Sequence, residues 1–181
     1  IQNLIIAYKE RFDRNNFFQN LLLDNMLLVD IYNRAKKLHV EAAVPRAVII
    51  IETGTEKDGT EAELLGGLFS AQSGDYITAV DESNVILIKA LDMGEGYEVI
   101  ERTSAMIVDM MNTEAMMNVR VAYGTIVSEL KDVSKSYKEA KMALDVGKIF
   151  YVERKVNSYS SLGIGRLIYQ LPVNLCKIFI D

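Results

Sequence analysis

Asp75-Tyr76-Ile77-Thr78-Ala79-Val80-Asp81-Glu82-Ser83-Asn84-Val85-Ile86-Leu87-Ile88-Lys89-Ala90-Leu91 reads as a β-hairpin. Its first arm carries Tyr76, Ile77 and Thr78, residue types that suit a pleated, half-buried surface. Asp81-Glu82-Ser83-Asn84 is turn-forming, because short polar side chains hydrogen-bond their own backbone. Val85 to Leu91 is the second arm. Upstream, Ala47-Val48-Ile49-Ile50-Ile51 is a continuous β-branched run, the pattern of a strand buried on both faces. Between them lies a polar loop from Gly54 to Gly59. Thr60 and Glu63 then form a predicted capping box. The helix they open continues through Leu64, Leu65, Leu68 and Phe69.

Further upstream, Asn16 to Leu38 contains no Gly or Pro. Leu21, Leu28 and Ala35 are spaced by seven, and Ile31 and Leu38 fill the alternate positions. This predicts one long helix with coiled-coil character, interrupted by Asp24. It reads either as a helix packed on its own domain or as a dimerising linker, and Pro45 closes it.

Downstream, Asp92 to Gly96 ends the hairpin. A helix is predicted over Tyr97–Met111, with Val99, Ile100, Thr103, Met106, Ile107, Met110 and Met111 on one side as core filler. Asn118 to Val127 reads as a strand. Asp132 and Ser134 are candidate caps for a helix carrying Tyr137, Ala140, Ala143, Leu144 and Ile149. Lys155 to Tyr159 reads as a final strand, and Ile164 to Gln170 as a last helix ended by Pro172. The β-α-β-β-α-β order predicts an α+β, ferredoxin-like sheet with helices on one face.

Half of the 181 residues are hydrophobic and a quarter are charged, which suits a folded domain. The net charge of −5, with Lys and Arg scattered among acids, argues against direct nucleic-acid binding; Arg34-Ala35-Lys36-Lys37 reads as a solvated helix face. One cysteine, Cys176, and one histidine, His39, exclude an intrachain disulfide and the usual Cys/His zinc sites, as in a reducing cytoplasm. No signal peptide is read at the start, and no run reaches the ~20 apolar residues of a membrane span. The chain starts at Ile1 and ends within an apolar stretch from Leu175 to Ile180, so it reads as part of something longer.

Chemistry-bearing patterns are sparse. There is no phosphate-binding Walker loop and no nucleophile elbow. Gly94-Glu95-Gly96 and Gly163-Ile164-Gly165 lack the third glycine of a dinucleotide fingerprint and read as turn glycines. His39 has no partner for general-base work, and Cys176 reads as an inert buried thiol. Asp81 and Glu82 form the one spot with conceivable magnesium chemistry, although polar turns carry such acids routinely. No catalytic, cofactor-binding or metal-ligating residue is assigned on these grounds.

Several strings nevertheless resemble one regulator family. They are Arg34-Ala35-Lys36-Lys37-Leu38-His39-Val40, Pro45-Arg46-Ala47-Val48-Ile49-Ile50, Val121-Ala122-Tyr123-Gly124, Ser136-Tyr137-Lys138-Glu139-Ala140-Lys141-Met142-Ala143-Leu144 and Tyr159-Ser160-Ser161-Leu162-Gly163. They resemble the sugar-diacid-utilisation and purine-catabolism activators (CdaR/PucR-like), spanning roughly Asp30 to Leu171. His39 departs from the family, which usually has Gly after the Leu. The resemblance implies a degenerate nucleotide-cyclase (GGDEF-like) domain over residues 41–163. An N-terminal helical linker (1–40) would precede it, and a C-terminal helix (164–181) would lead to a helix-turn-helix domain outside the chain. Active cyclases carry Gly-Gly-Asp-Glu-Phe at the hairpin turn. Here Asp81 and Glu82 fall on the glycine places, Ser83 and Asn84 on the acidic ones, and Val85 on the Phe place. Ile49-Ile50-Ile51-Glu52-Thr53 also lacks the aspartate that cyclases place near the end of the first strand.

The expectation is therefore a non-catalytic, cytoplasmic regulatory domain. It would form a homodimer through the N-terminal helix, reach DNA only through the helix-turn-helix domain, and relay an unknown small-molecule inducer, with no membrane partner. The alternatives are a small-molecule or nucleotide sensor that retains a cleft, and, disfavoured by the lost glycines, a surviving cyclase-type enzyme.

Overall fold

The computed structural model of the chain describes residues 2–54, 60–69 and 74–163. The side chains of the predicted Thr60–Glu63 capping box, the predicted helix Ile164–Gln170, Pro172 and Cys176 lie outside the described residues. The elements are α1 (Gln2–Leu22), α2 (Leu28–Lys37), β1 (Arg46–Glu52), α3 (Thr60–Leu68), β2 (Tyr76–Thr78), β3 (Asn84–Ala90), α4 (Tyr97–Glu114), β4 (Arg120–Tyr123), α5 (Val133–Phe150) and β5 (Val156–Ser158).

The strands form one sheet in the order β2-β3-β1-β4-β5. β3 lies between β1 and β2 and is antiparallel to both, so β1-α3-β2 is a split βαβ unit. β4 is antiparallel to β1, and β5 runs parallel to β4 after the α5 crossover. The predicted hairpin, the β-α-β-β-α-β order of elements along the chain and the mixed α+β class all hold in this architecture.

Helices cover both faces rather than the predicted single one. β1 is buried from Arg46 to Ile51, so a helix layer is needed on each side. Strand alternation puts Val48, Ile50, Ile86, Ile88 and Ala122 on one face, against Phe17, Phe18, Leu21 and Leu22 of α1, Ile31 and Ala35 of α2, and Tyr137, Ala140 and Leu144 of α5. The other face presents Ala47, Ile49, Ile51, Leu87 and Val121 to Leu65 of α3 and to Val99, Ile100, Ile107 and Met111 of α4. Met106, expected in that core face, is exposed.

The single helix predicted over Asn16–Leu38 is two helices. α1 stops where Asp24 adopts a left-handed φ of 59°. The N–H groups of Asp24 and Asn25 turn back to the carbonyls of Leu21 and Asn20, at 3.2 and 3.0 Å. This is a Schellman stop, and a short polar side chain tolerates its left-handed residue better than most. Leu28, expected on the stripe, is exposed at the start of α2.

α2 ends the same way. His39 has φ 59°, its N–H donates to Lys36, and the Val40 N–H donates to the Ala35 carbonyl at 2.9 Å. Glycine is the residue this position favours, which gives a physical meaning to the departure at His39. Because the His39 side chain is not needed in the core, His39→Gly is expected to stabilise the fold by about 0.5–1 kcal/mol. The urea midpoint should rise accordingly; a fall would show that the imidazole holds something in place.

The strand predicted over Asn118–Val127 is shorter, because α5 approaches at Gly124. The Val48 N–H donates to the Ser136 hydroxyl at 3.0 Å, and that hydroxyl donates to the Thr125 carbonyl at 2.8 Å. The side chain of a helix residue thus replaces one rung of the ladder, and only an isolated bridge between Arg46 and Val127 continues the pairing. At the start of α5, neither Asp132 nor Ser134 is a side-chain cap; a 3₁₀ turn over Leu130–Asp132 leads into the helix instead.

Candidate functional site

The β2-β3 turn lies beside the C-terminal end of β1, with the last turns of α5 behind them. The β1-β3 register places Glu52 opposite Asn84. The Ser83 carbonyl accepts from the N–H groups of Thr53 and Gly54 at 2.9 and 3.2 Å, tying the turn to the end of β1.

Asp81 is occupied by its own turn. One carboxylate oxygen accepts from the backbone N–H groups of Ser83 (2.8 Å) and Asn84 (2.9 Å), and the Asn84 side-chain amide reaches the other oxygen at 3.0 Å. Partial burial pushes the Asp81 carboxyl up. The hydrogen bonds from Asn84 and Ser83 and the charge of Lys141 outweigh this and hold it below its ordinary value. A carboxyl lowered by folding contributes stability at pH values above its unfolded pKa, and that contribution is lost as pH falls through the folded pKa. An NMR titration should therefore place Asp81 below an aspartate in an unstructured peptide. Asp81→Asn should flatten the acid limb of the stability profile; an Asp81 that titrates at or above the unstructured aspartate would overturn this account.

Glu52 is equally committed, its carboxylate 2.7 Å from the Lys148 ammonium. Glu52, Asn84, Tyr137, Lys141 and Lys148 line a cavity of about 140 Å³, below the few hundred Å³ typical of small-molecule sites. Burial raises the Tyr137 hydroxyl pKa, and the nearby Asp81 charge adds to the shift. The Asn84 amide oxygen is buried without a hydrogen-bond partner among the described residues.

Of the residues singled out in the sequence, Asp81 and Glu82 sit at this turn and Glu52 beside it. His39 lies beyond the opposite end of β1, roughly 20 Å away for a strand of this length, and joins no cluster at the turn. Gly94 takes φ 85° in a turn, and Gly96 is the residue before α4. Cys176 lies outside the described residues. Among the described residues, no three His, Cys, Asp or Glu side chains come together as a cation-binding group, and no helix is long and apolar enough to cross a membrane. Sequence reasoning missed Lys141, Asp145 and Lys148. Their i, i+4, i+7 spacing already places them on one face of α5.

The chain has no match among the curated proteins. The family model of the GGDEF-like domain matches residues 25–146, about two thirds of the chain. That span runs from just before α2 to the last turn of α5, and so takes in the turn, the end of β1 and Lys141 described above. By this match, over this fold, the chain belongs to the GGDEF-like domain family.

Proposed function

We propose that the chain is a non-catalytic module of a CdaR/PucR-like bacterial transcription regulator, relaying a small-molecule signal to a DNA-binding domain outside this sequence. The observation that carries the non-catalytic half is the turn. Side chains stand at Asp81 and Glu82, where an active cyclase needs bare backbone, and the Asp81 carboxylate is spent on its own turn. The Glu52–Lys148 pair further occupies the neighbouring acid. The regulator half rests on the resemblance in the strings from Arg34 to Gly163.

The same reading assigns α1 to self-association. Ile5, Tyr8 and Phe12 follow a three-and-four spacing and are all more than half exposed, while the end of the same helix is anchored in the core. Incubation of the chain with GTP and magnesium, followed by chromatography, should give no dinucleotide product; turnover would overturn the non-catalytic reading. Light scattering should give a dimer that Ile5→Glu with Phe12→Glu converts to a monomer. A wild-type monomer would sink the self-association claim alone.

A further inference from the structure

β2 is one edge of the five-stranded sheet, and its outer side opens into a slot between two helices. The ladder fixes which backbone groups point into that slot. At the two ends of the β1-β3 pairing, the Leu91 N–H donates to the Pro45 carbonyl and the Thr53 N–H to the Ser83 carbonyl. The register between them is unbroken, so odd-numbered residues of β3 bond to β1 and even-numbered ones face β2. Tyr76 and Thr78 stand opposite Ile88 and Ile86, and their N–H and carbonyl groups are therefore taken by β3. The N–H and carbonyl of Ile77 point the other way, off the edge, and meet no hydrogen-bond partner among the described residues. The next outward carbonyl, that of Ala79, accepts from the Gln19 side-chain amide at 2.7 Å.

The slot has a volume of about 670 Å³. α1 overhangs it on one face of the sheet, with Ala7, Arg11, Arg14 and Phe18 along its wall. Gly66 of α3, and Phe69 just beyond that helix, form the other wall. From Ala7 to Phe18 the helix covers about 16 Å, the length of about five residues of β-strand. A strand added to β2 would thus be covered on both faces, as β1 is.

The two walls differ in chemistry. Ile77 and Phe69 belong to the apolar α3/α4 side. The α1 wall carries two cations. Arg11 is exposed, Arg14 is half-buried, and neither forms an ion pair among the described residues. The charge of Arg14 is felt at Tyr76: burial raises the pKa of the Tyr76 hydroxyl, and the charges of Arg46 and Arg14 pull it back down. Glu10 also lines the slot, but the two arginines outnumber it. Asp75, at the end of the slot, is 4% exposed and is held by Lys89 at 3.1 Å and by the Ala90 N–H at 2.9 Å.

We propose that this slot takes an extended acidic peptide of a partner protein, added to β2 as an antiparallel strand, with carboxylates toward Arg11 and Arg14 and apolar side chains toward α3. Main-chain bonds supply affinity in this mode, and alternate side chains supply specificity. Residues directly opposite in an antiparallel pair share a face, so the peptide residue that bonds to Ile77 is an apolar one. The inference is separate from self-association through Ile5, Tyr8 and Phe12, which lie roughly a third of the way round α1 from this wall.

The test titrates the full chain with an acetylated and amidated Val-Glu-Val-Glu-Val-Glu peptide, following the Ile77 amide by NMR. That resonance is assigned by its loss in Ile77→Val. It should shift saturably and exchange with solvent more slowly. Free glutarate, which carries the charge without a backbone, should leave it in place. Replacing the glutamates of the peptide by lysine should weaken binding by about fivefold or more, as should Arg11→Gln with Arg14→Gln, the loss expected for exposed charge pairs. N-methylation of the valines should abolish binding and N-methylation of the glutamates should not, because only the valine nitrogens face β2. The methylated peptides probe the strand pairing without any substitution in the protein. No shift of Ile77, an equal shift with glutarate or the lysine peptide, unchanged binding by the arginine variant, or equal binding of the two methylated peptides would overturn the proposal.

Discussion

Gly124→Ala is expected to cost about 3 kcal/mol or more of folding stability, seen as a lower urea midpoint at unchanged slope. A Cβ at residue 124 would lie 2.1 Å from the Ser136 carbonyl oxygen and 2.8 Å from the Ser136 hydroxyl. Neither atom can step aside cheaply. The hydroxyl is held between the Val48 N–H and the Thr125 carbonyl, and the carbonyl belongs to the backbone of α5. Relief would require lifting α5, with Val133, Tyr137 and Ala140, off the sheet they are buried against. Gly54→Ala is the control. Gly54 has φ +85°, but a methyl added there would meet nothing within 4 Å among the described residues. Only backbone strain of about 1 kcal/mol therefore applies at that position. If Gly124→Ala costs no more than Gly54→Ala, the close approach of α5 is not what the fold depends on.

The same contact explains why β4 is shorter than its sequence suggests. The run from Val119 to Val127 is apolar and β-branched enough to look continuous. What ends the ladder is a serine hydroxyl from a helix a dozen residues later, and no local pattern announces it. The hairpin is legible for the opposite reason. Its turn chemistry is local, and Asp81 does what a turn aspartate is expected to do. The first break in the helical region is half legible. Asp24 stands out as an interruption, but only the left-handed backbone at that residue shows it to be a helix end.

At the candidate site, the sequence points to the residues on the hairpin and the end of β1 but not to those behind them. Lys141 and Lys148 belong to a helix more than fifty residues away, and they matter because that helix crosses under the turn. Glu52 enters the sequence reading only within a stretch that lacks the cyclase aspartate; the fold pairs it with Lys148. Arg46 enters only as part of a matching string. A strand-opening arginine is ordinary in a sequence, and only the fold shows that it is buried, with Nε and Nη1 lacking a hydrogen-bond partner among the described residues.

Phe18→Ala should cost about 3–5 kcal/mol, the range for emptying a fully packed aromatic site. Phe18 is 1% exposed on α1, the segment that reads from sequence as linker. Its ring meets Phe17 edge-on at 5.1 Å between centroids and lies 4.2 Å from the ring of Tyr76 on the edge strand β2. Gln19, one residue on, donates to the Ala79 carbonyl at 2.7 Å, so this part of α1 also closes the side of the hairpin. A fragment beginning at Ala42 would lose Phe17, Phe18, Leu21, Leu22, Ile31 and Ala35 from one core face at once. It should lack a cooperative urea transition, whereas Phe12→Ala, on the exposed half of the same helix, should leave the midpoint of the isolated subunit nearly unchanged. The contrast separates the two halves of α1: residues from Phe17 onward are buried in the folding unit, and Ile5, Tyr8 and Phe12 before it are exposed. A fragment from Ala42 that unfolds with the full chain's midpoint and slope would refute that division and return α1 to the role of a linker.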